Sequence, residues 1–158
     1  MTIAAANPFV SEVPFEPERI GAAAIYCSDG RYGEHMDDFL HNGLLLPHYD
    51  RVAIPGGAAC LSDHAAALRE RMALTRQLQF LIASHGLSRV VLIAHEDCGF
   101  YRQNLHPYKL RARPLEEFQF ADLAKAAAVI RGWVPYPHVD AYIARRTEAV
   151  VRFDPVAV

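Results

Sequence analysis

At 158 residues, with 52% hydrophobic and 22% charged side chains, the chain has the length of one domain and the composition of an ordinary globular protein. A net charge of −2, with basic residues scattered rather than run together, leaves no electrostatic footprint for nucleic acid. No apolar run approaches the roughly 20 residues that span a bilayer, and Met1-Thr2-Ile3-Ala4-Ala5-Ala6-Asn7 lacks the basic region of a secretory signal, so a cytoplasmic protein is expected, with no nucleic-acid or membrane partner.

Residues 1–18 carry Pro8, Pro14 and Pro17 and read as an extended or partly helical arm ahead of a single domain over 19–158. Ala22-Ala23-Ala24-Ile25-Tyr26 is a continuous apolar run and predicts a first buried strand, near 20–27. Asp29-Gly30 signals a turn, and a short helix follows from Glu34 to His41. Arg51-Val52-Ala53-Ile54 predicts a second strand, closed by Pro55-Gly56-Gly57. Ser62 or Asp63 offers an N-cap for a long helix. In that helix Ala67, Met72, Leu74, Leu78, Leu81 and Ile82 recur near a period of 3.6, Arg69, Arg71 and Arg76 form a solvated face, and His85-Gly86 supplies the stop. Residues 89–95 predict a third strand. Pro114-Leu115-Glu116-Glu117 opens another helix, since proline suits the first turn and acidic side chains its positive end; it runs through Ala121 to Arg131. Val139–Ala144 and Ala149–Phe153 read as a hairpin around Arg145-Arg146-Thr147. The alternation predicts an α/β fold: a mainly parallel sheet flanked by helices on both faces, with the hairpin at its edge. No repeat or low-complexity tract is present, Gly56-Gly57 lacks the third glycine of a dinucleotide loop, and no Gly-Lys-Ser/Thr occurs.

Two segments carry chemistry. Cys27-Ser28-Asp29-Gly30-Arg31 follows the first strand, and His95-Glu96-Asp97-Cys98-Gly99 follows the apolar Val90-Val91-Leu92-Ile93-Ala94. Reactive groups at the carboxyl ends of strands in an open α/β sheet converge on one crevice, and only folding can unite groups about 70 residues apart. Two thiolates and an imidazole make a three-ligand zinc site with one position open, the layout of a catalytic rather than a structural site. Each residue alone has a plainer explanation. A strand-end cysteine is usually a small buried hydrophobe, His-x-x-Cys offers too few ligands, Asp29-Gly30 alone is a turn, and Arg31 alone a solvated charge. Taken together, at two strand ends, they favour a site. Cys60, in Ala58-Ala59-Cys60-Leu61, has no histidine or acid at ligand spacing and reads as a packed core thiol. Three cysteines in all, an odd count, argue against a disulfide framework.

Cys-x-Asp-x-Arg, then a glycine pair after the second strand, then His-x-x-Cys-Gly resembles the β-class carbonic anhydrases over roughly residues 20 to 100. The resemblance implies Zn²⁺ held by Cys27, His95 and Cys98, with Asp29 and Arg31 as a catalytic pair beside the metal. It also implies reversible hydration of CO₂ to bicarbonate, a small-molecule substrate, and a homodimer or higher homo-oligomer with the crevice near the subunit boundary. Charge assigns the pair its roles: Asp29 accepts a hydrogen bond from the reacting water, and Arg31 holds that carboxylate off the metal through a bidentate contact. The chain departs from the family pattern in reading Ala53-Ile54-Pro55-Gly56-Gly57 where Arg-Asn-Ala-Gly is usual, and in the bulky Gly99-Phe100-Tyr101-Arg102. Relatives with this metal core hydrolyse carbonyl sulfide or carbon disulfide, which stands as the alternative activity, and a non-catalytic zinc-binding relative is the third. His35, His41, His48, His64 and His106 read as surface groups. Phe80, Phe118 and Phe120 read as core or subunit-interface aromatics.

Overall fold

The strands form because short apolar runs are cut by turn residues, and their order is set by the crossovers between them. The computed structural model describes residues 7–18, 20–62, 67–105, 107–133 and 137–158. The strands are β1 (Ala22–Tyr26), β2 (Asp50–Ala53), β3 (Arg89–His95), β4 (His138–Thr147) and β5 (Val150–Pro155). They form one sheet in the order β2-β1-β3-β4-β5, parallel except for the β4–β5 hairpin at one edge. The helices are α1 (Gly33–Asp38), which continues as a π-helical turn over Phe39–Gly43, α2 (Leu68–His85), α3 (Gly99–Asn104), α4 (Pro107–Ala112) and α5 (Leu115–Arg131). A 3₁₀ turn spans Gly57–Leu61.

Every residue of β1 is buried, as a strand covered on both faces requires. Ala23, Ile25, Val90, Leu92, Val139 and Ala141 face α2 and α5, where Leu74, Leu78, Ile82, Leu123, Ala126 and Ile130 meet them. Ala22, Ala24, Tyr26, Val91, Ile93 and Ala144 face the other way, against Tyr32, Met36 and Leu40 of α1 and its flanks. The register is what serves the site. Tyr26 lies opposite Ile93 and His95 opposite Ala144, so the residues that leave β1 and β3 emerge side by side at one end of the sheet.

Several local expectations are corrected. Met72 is 66% exposed and Leu81 only half-buried, because α2 packs one narrow stripe, Leu74, Leu78 and Ile82, on the sheet and turns the rest outward. Of the aromatics read as core or subunit-interface groups, Phe80 is 62% exposed, which excludes the core for it but not an interface, whereas Phe118 and Phe120 are partly buried against core clusters. Ser62 does not cap α2; its hydroxyl donates to the Ala59 carbonyl at 2.7 Å and closes the 3₁₀ turn, while α2 starts after Ala67 with no side-chain cap. Asp63, His64 and His106 lie outside the described residues. Arg145-Arg146-Thr147 is strand rather than turn, with the reversal at Glu148-Ala149 and Glu148 at φ 55°. Those arginines read as a turn because strands seldom carry adjacent charges, yet each has carboxylate partners: Glu116 and Asp154 for Arg145, Glu96 and Asp97 for Arg146. The first helix ends at Asp38 before its π-helical turn, and β2 begins one residue early, at Asp50. Helices α3 and α4 carried no periodic signal. Residues 7–18 are exposed, with no helix or strand, and Glu16 meets His48 at 2.8 Å. Among the described residues no helix is long and apolar enough to cross a membrane.

The stripe on α2 makes a direct test. Leu78→Ala, at a fully buried position, is expected to lower the unfolding free energy by about 2–5 kcal/mol in urea titrations. Met72→Ala should change it by less than about 0.5 kcal/mol. Equal losses would contradict this packing.

Candidate metal centre

The site is assembled from two strand ends and one glycine loop. After β1 the chain stays beside β2 for one more step: Ile54 N–H donates to the Tyr26 carbonyl at 3.1 Å and Ser28 N–H to Ile54 at 3.2 Å. The loop beyond β2 then folds over Cys27 through Gly56 at φ 82° and Gly57 at φ 52°, both in the left-handed region. A Cβ on Gly57 would stand 2.9 Å from the Tyr26 carbonyl carbon and 3.0 Å from Cys27 N, and one on Gly56 would lie 2.5 Å from the Phe100 ring. Backbone N–H groups of Gly56 and Asp29 thereby point at the Cys27 sulfur. After β3, Asp97 takes φ 56° and turns the chain so that Cys98 becomes the N-cap of α3. The N–H groups of Phe100 and Tyr101, in the first turn of that helix, are directed at the Cys98 sulfur.

Cys27, His95 and Cys98 thus come together, with ligand atoms all within 4.8 Å of one another. The two sulfurs are 3.8 Å apart. Thiolates at about 2.3 Å from a tetrahedral zinc stand roughly 3.8 Å apart, so the pair is already spaced for that ion. The Cys98 thiol donates to the Cys27 sulfur; that bond lowers the Cys27 pKa and raises that of Cys98, the two sharing one proton. The His95 Nδ1–H donates to the Glu96 carbonyl at 2.7 Å. This fixes the tautomer and leaves the Nε2 lone pair buried with no protein partner, the state of an imidazole prepared to ligate. Donor types, sulfur spacing and the orphaned nitrogen all fit zinc.

Asp29 and Arg31 stand at the rim. The guanidinium grips the carboxylate twice, Nε to Oδ1 at 3.0 Å and Nη2 to Oδ2 at 2.6 Å, and the Arg31 N–H adds a 3.1 Å contact to Oδ1. The hydrogen bonds from Arg31 push the Asp29 pKa down to about 2. Cys60 lies apart, buried, its thiol donating to the Pro55 carbonyl at 3.3 Å and pushed up to about 11 by desolvation. His35 and His48 are exposed, and His41 is half-buried against the Tyr49 ring.

Four residues around the ligands escaped the sequence reading. Tyr32 packs its ring 4.5 Å from that of His95. Gln119 of α5 donates its amide to the His95 carbonyl at 2.7 Å. On the outer side Arg146 binds Glu96 through its backbone N–H (2.8 Å) and Nε (3.0 Å) and reaches Asp97 at 3.1 Å, and Arg102 binds Asp97 as well. Arg146 gains its place from the β3–β4 pairing, which a sequence does not spell out. Only the i, i+5 spacing of Asp97 and Arg102 was a local signal.

Fold and site define a class: an α/β protein whose mainly parallel sheet presents two cysteine sulfurs and one imidazole, a group that could hold a metal ion, at its carboxyl edge. The chain belongs to the family described as “putative carbonic anhydrase”, whose model matches residues 18–151. Solved structures agree on the architecture. The chain aligns with the carbonic anhydrase of Streptococcus mutans at TM-score 0.55 and 17% identity, covering 92% of this chain and 87% of that one. The β-carbonic anhydrase of Aspergillus fumigatus gives 0.54 and 16%, over 89% and 78% of the two chains. Tetrameric β-carbonic anhydrases of Sordaria macrospora give 0.55 and 13%, over 89% and 84%. These identities establish the β-carbonic anhydrase fold. No curated protein matches the chain.

Gly57→Ala should force the Tyr26–Cys27 backbone away, lowering the metal-free melting temperature through a strained φ of about 1–2 kcal/mol plus the clash. Gly30→Ala, as near to the ligands in sequence but with nothing within 4 Å of its Cβ, should melt like the wild type. Equal behaviour of the two in thermal scans would contradict the close approach of the loop.

Proposed function

We propose that this protein is a zinc enzyme that hydrates CO₂ reversibly to bicarbonate. The observation that carries the reading is the convergence of two sulfurs 3.8 Å apart with a buried, unpartnered imidazole nitrogen, in a chain of this family. Cys27, His95 and Cys98 would hold the ion. When bound there, zinc supplies Lewis acidity and turns water into a nucleophile at neutral pH. Cys27 and Cys98 bring two negative charges that offset those of the ion, so the site depends more on its neighbours for orienting the reacting water. Asp29 supplies a carboxylate that accepts a hydrogen bond from that water and aims it at the substrate carbon. Arg31 keeps the carboxylate ionised and turned away from the ligands through its two contacts. Phe100, Tyr101, Leu105 and Phe118 pack around Cys98 and Cys27 and give the ligands an apolar surround suited to a small uncharged substrate.

Stopped-flow CO₂ hydration on protein of measured zinc content tests the reading. About one zinc per chain is expected, abolished in Cys98→Ser, and full stoichiometry in that variant would remove the ligand assignment. Turnover of carbonyl sulfide or carbon disulfide without CO₂ hydration would move the activity to that alternative, and zinc without either would leave a binding protein.

The pair gives a second test. Arg31→Ala should let Asp29 reach the ion as a protein ligand, with activity falling sharply while zinc stays bound. Asp29→Ala should lose roughly 10²–10⁴-fold in rate with the ligand position still open. X-ray absorption distinguishes the two, and wild-type rates in both variants would refute the role.

The proposal includes a homodimer or larger assembly. Leu68, Met72 and Phe80 of α2 and Phe9, Val10, Val13 and Phe15 of the arm are large apolar groups left exposed in the single chain. Light scattering at micromolar concentration should give at least twice the chain mass; a monomer would count against it.

A further inference from the structure

We propose that Gln119 is a positioning residue for the metal ligands and that helix α5 sets the separation of His95 and Cys98 through two buried polar contacts. The inference rests on the zinc-site reading above and adds residues outside the ligand set.

The buried polar side chains among the described residues are Ser62, His95, Gln119 and Asp122. Ser62 is satisfied locally by Ala59. The other three gather at one place. Helix α5 otherwise buries an apolar face of Leu123, Ala126, Ala127 and Ile130, so leucine or methionine would be the ordinary filling at 119. A buried amide is costly unless its groups are paired. Gln119 keeps only part of its capacity: the amide N–H donates to the His95 carbonyl at 2.7 Å, and Oε1 has no partner. The donating end therefore accounts for the residue, and what it holds is the main chain of a ligand.

Asp122, three positions on and on the same side of the helix, takes the hydrogen bond of the Tyr101 phenol. Tyr101 is buried in the first turn of α3, and its backbone N–H is one of those aimed at the Cys98 sulfur. One helix thus grips both ligand-bearing segments from the core side, His95 by its carbonyl and Cys98 through the turn it caps. Between the two grips the chain passes through Asp97 at φ 56°. The outer contacts of Arg146 and Arg102 are solvent-exposed ion pairs, half or more open at the arginine, and pairs of that kind hold geometry weakly. The inner grips are dry.

Partners of this kind behind a metal ligand typically account for 10–100-fold in metal affinity. Gln119→Met keeps length and packing while removing the donor and the orphaned oxygen together. It should bind zinc about 10–100-fold more weakly in competition with a chromophoric chelator. The Co²⁺-loaded variant should show altered thiolate-to-cobalt and d–d absorption, with an unchanged melting temperature for the metal-free protein. Tyr101→Phe combined with Asp122→Leu, which removes the second grip and leaves no buried charge behind, should alter the cobalt bands likewise. Wild-type zinc affinity and cobalt spectrum in Gln119→Met would overturn the positioning role and leave the zinc site standing. A weaker-binding variant with an unaltered cobalt spectrum and a lowered metal-free melting temperature would also overturn it, reducing Gln119 to a packing residue. Failure of the wild-type protein to bind zinc would instead remove the underlying site, and the positioning role with it.

Discussion

The parallel pairing of β1 with β3 is the constraint on which the rest depends. With Tyr26 opposite Ile93, Cys27 emerges beside the Ala94-His95 step, and a sulfur and an imidazole distant in sequence become neighbours. A slip of one residue would turn every side chain of β1 to the other face and carry Cys27 out of reach of Cys98. Both faces of the strand are covered, Ala23 and Ile25 toward α2 and α5 and Ala22 and Ala24 toward α1, so the register rests on side-chain size: a slip would drive the bulk of Ile25 and Tyr26 into the opposite clusters. Burial of an alanine-rich strand therefore does chemical as well as structural work. It holds a polar cluster at a strand end, where single backbone bonds from Ser28 to Ile54 and from Glu96 to Ala144 carry the pairing one step further.

Around that anchor the site is held by unequal means. On the inner side, backbone N–H groups converge on both sulfurs, and α5 reaches the His95 carbonyl and the Tyr101 phenol in a region shielded from water. On the outer side, Arg31, Arg102 and Arg146 pair with Asp29, Asp97 and Glu96 in solvent. Exposed pairs contribute little to stability and weaken with salt. What they do supply is sign. Three guanidiniums neutralise carboxylates that would otherwise crowd a site already carrying thiolate charge. The difference follows from dielectric: contacts shielded from water hold the main chain most firmly, while the exposed pairs balance charge, the bidentate Arg31–Asp29 contact also orienting its carboxylate.

The mainly parallel sheet and the meeting of Cys27, His95 and Cys98 were legible because they depend on local pattern: unbroken apolar runs, turn residues after them, and reactive groups at the runs' ends. Positions that depend on which elements meet were not. Met72 fell within the apolar periodicity of α2, yet a helix lying on one sheet face buries a stripe narrower than the apolar positions available to it. Arg145 and Arg146 read as a turn because their carboxylate partners, Glu116, Asp154, Glu96 and Asp97, lie on other elements. Gln119 had no signal at all. A glutamine in an amphipathic helix resembles any surface residue until the helix is docked and the amide is found 2.7 Å from a main-chain oxygen.

The bulky Phe100 that follows Cys98-Gly99 and the glycine pair after the second strand meet in one packing contact. The Phe100 ring occupies the space a side chain at position 56 would fill, approaching to 2.5 Å of its Cβ direction. Gly56 can have no side chain because Phe100 is there, and Phe100 can lie there because Gly56 has none. The ring also touches both the core beneath α2 and the cluster around Cys98, so it ties the glycine loop to the ligand helix across the site. The contact lies beside Cys27, His95 and Cys98 and leaves their donor atoms together.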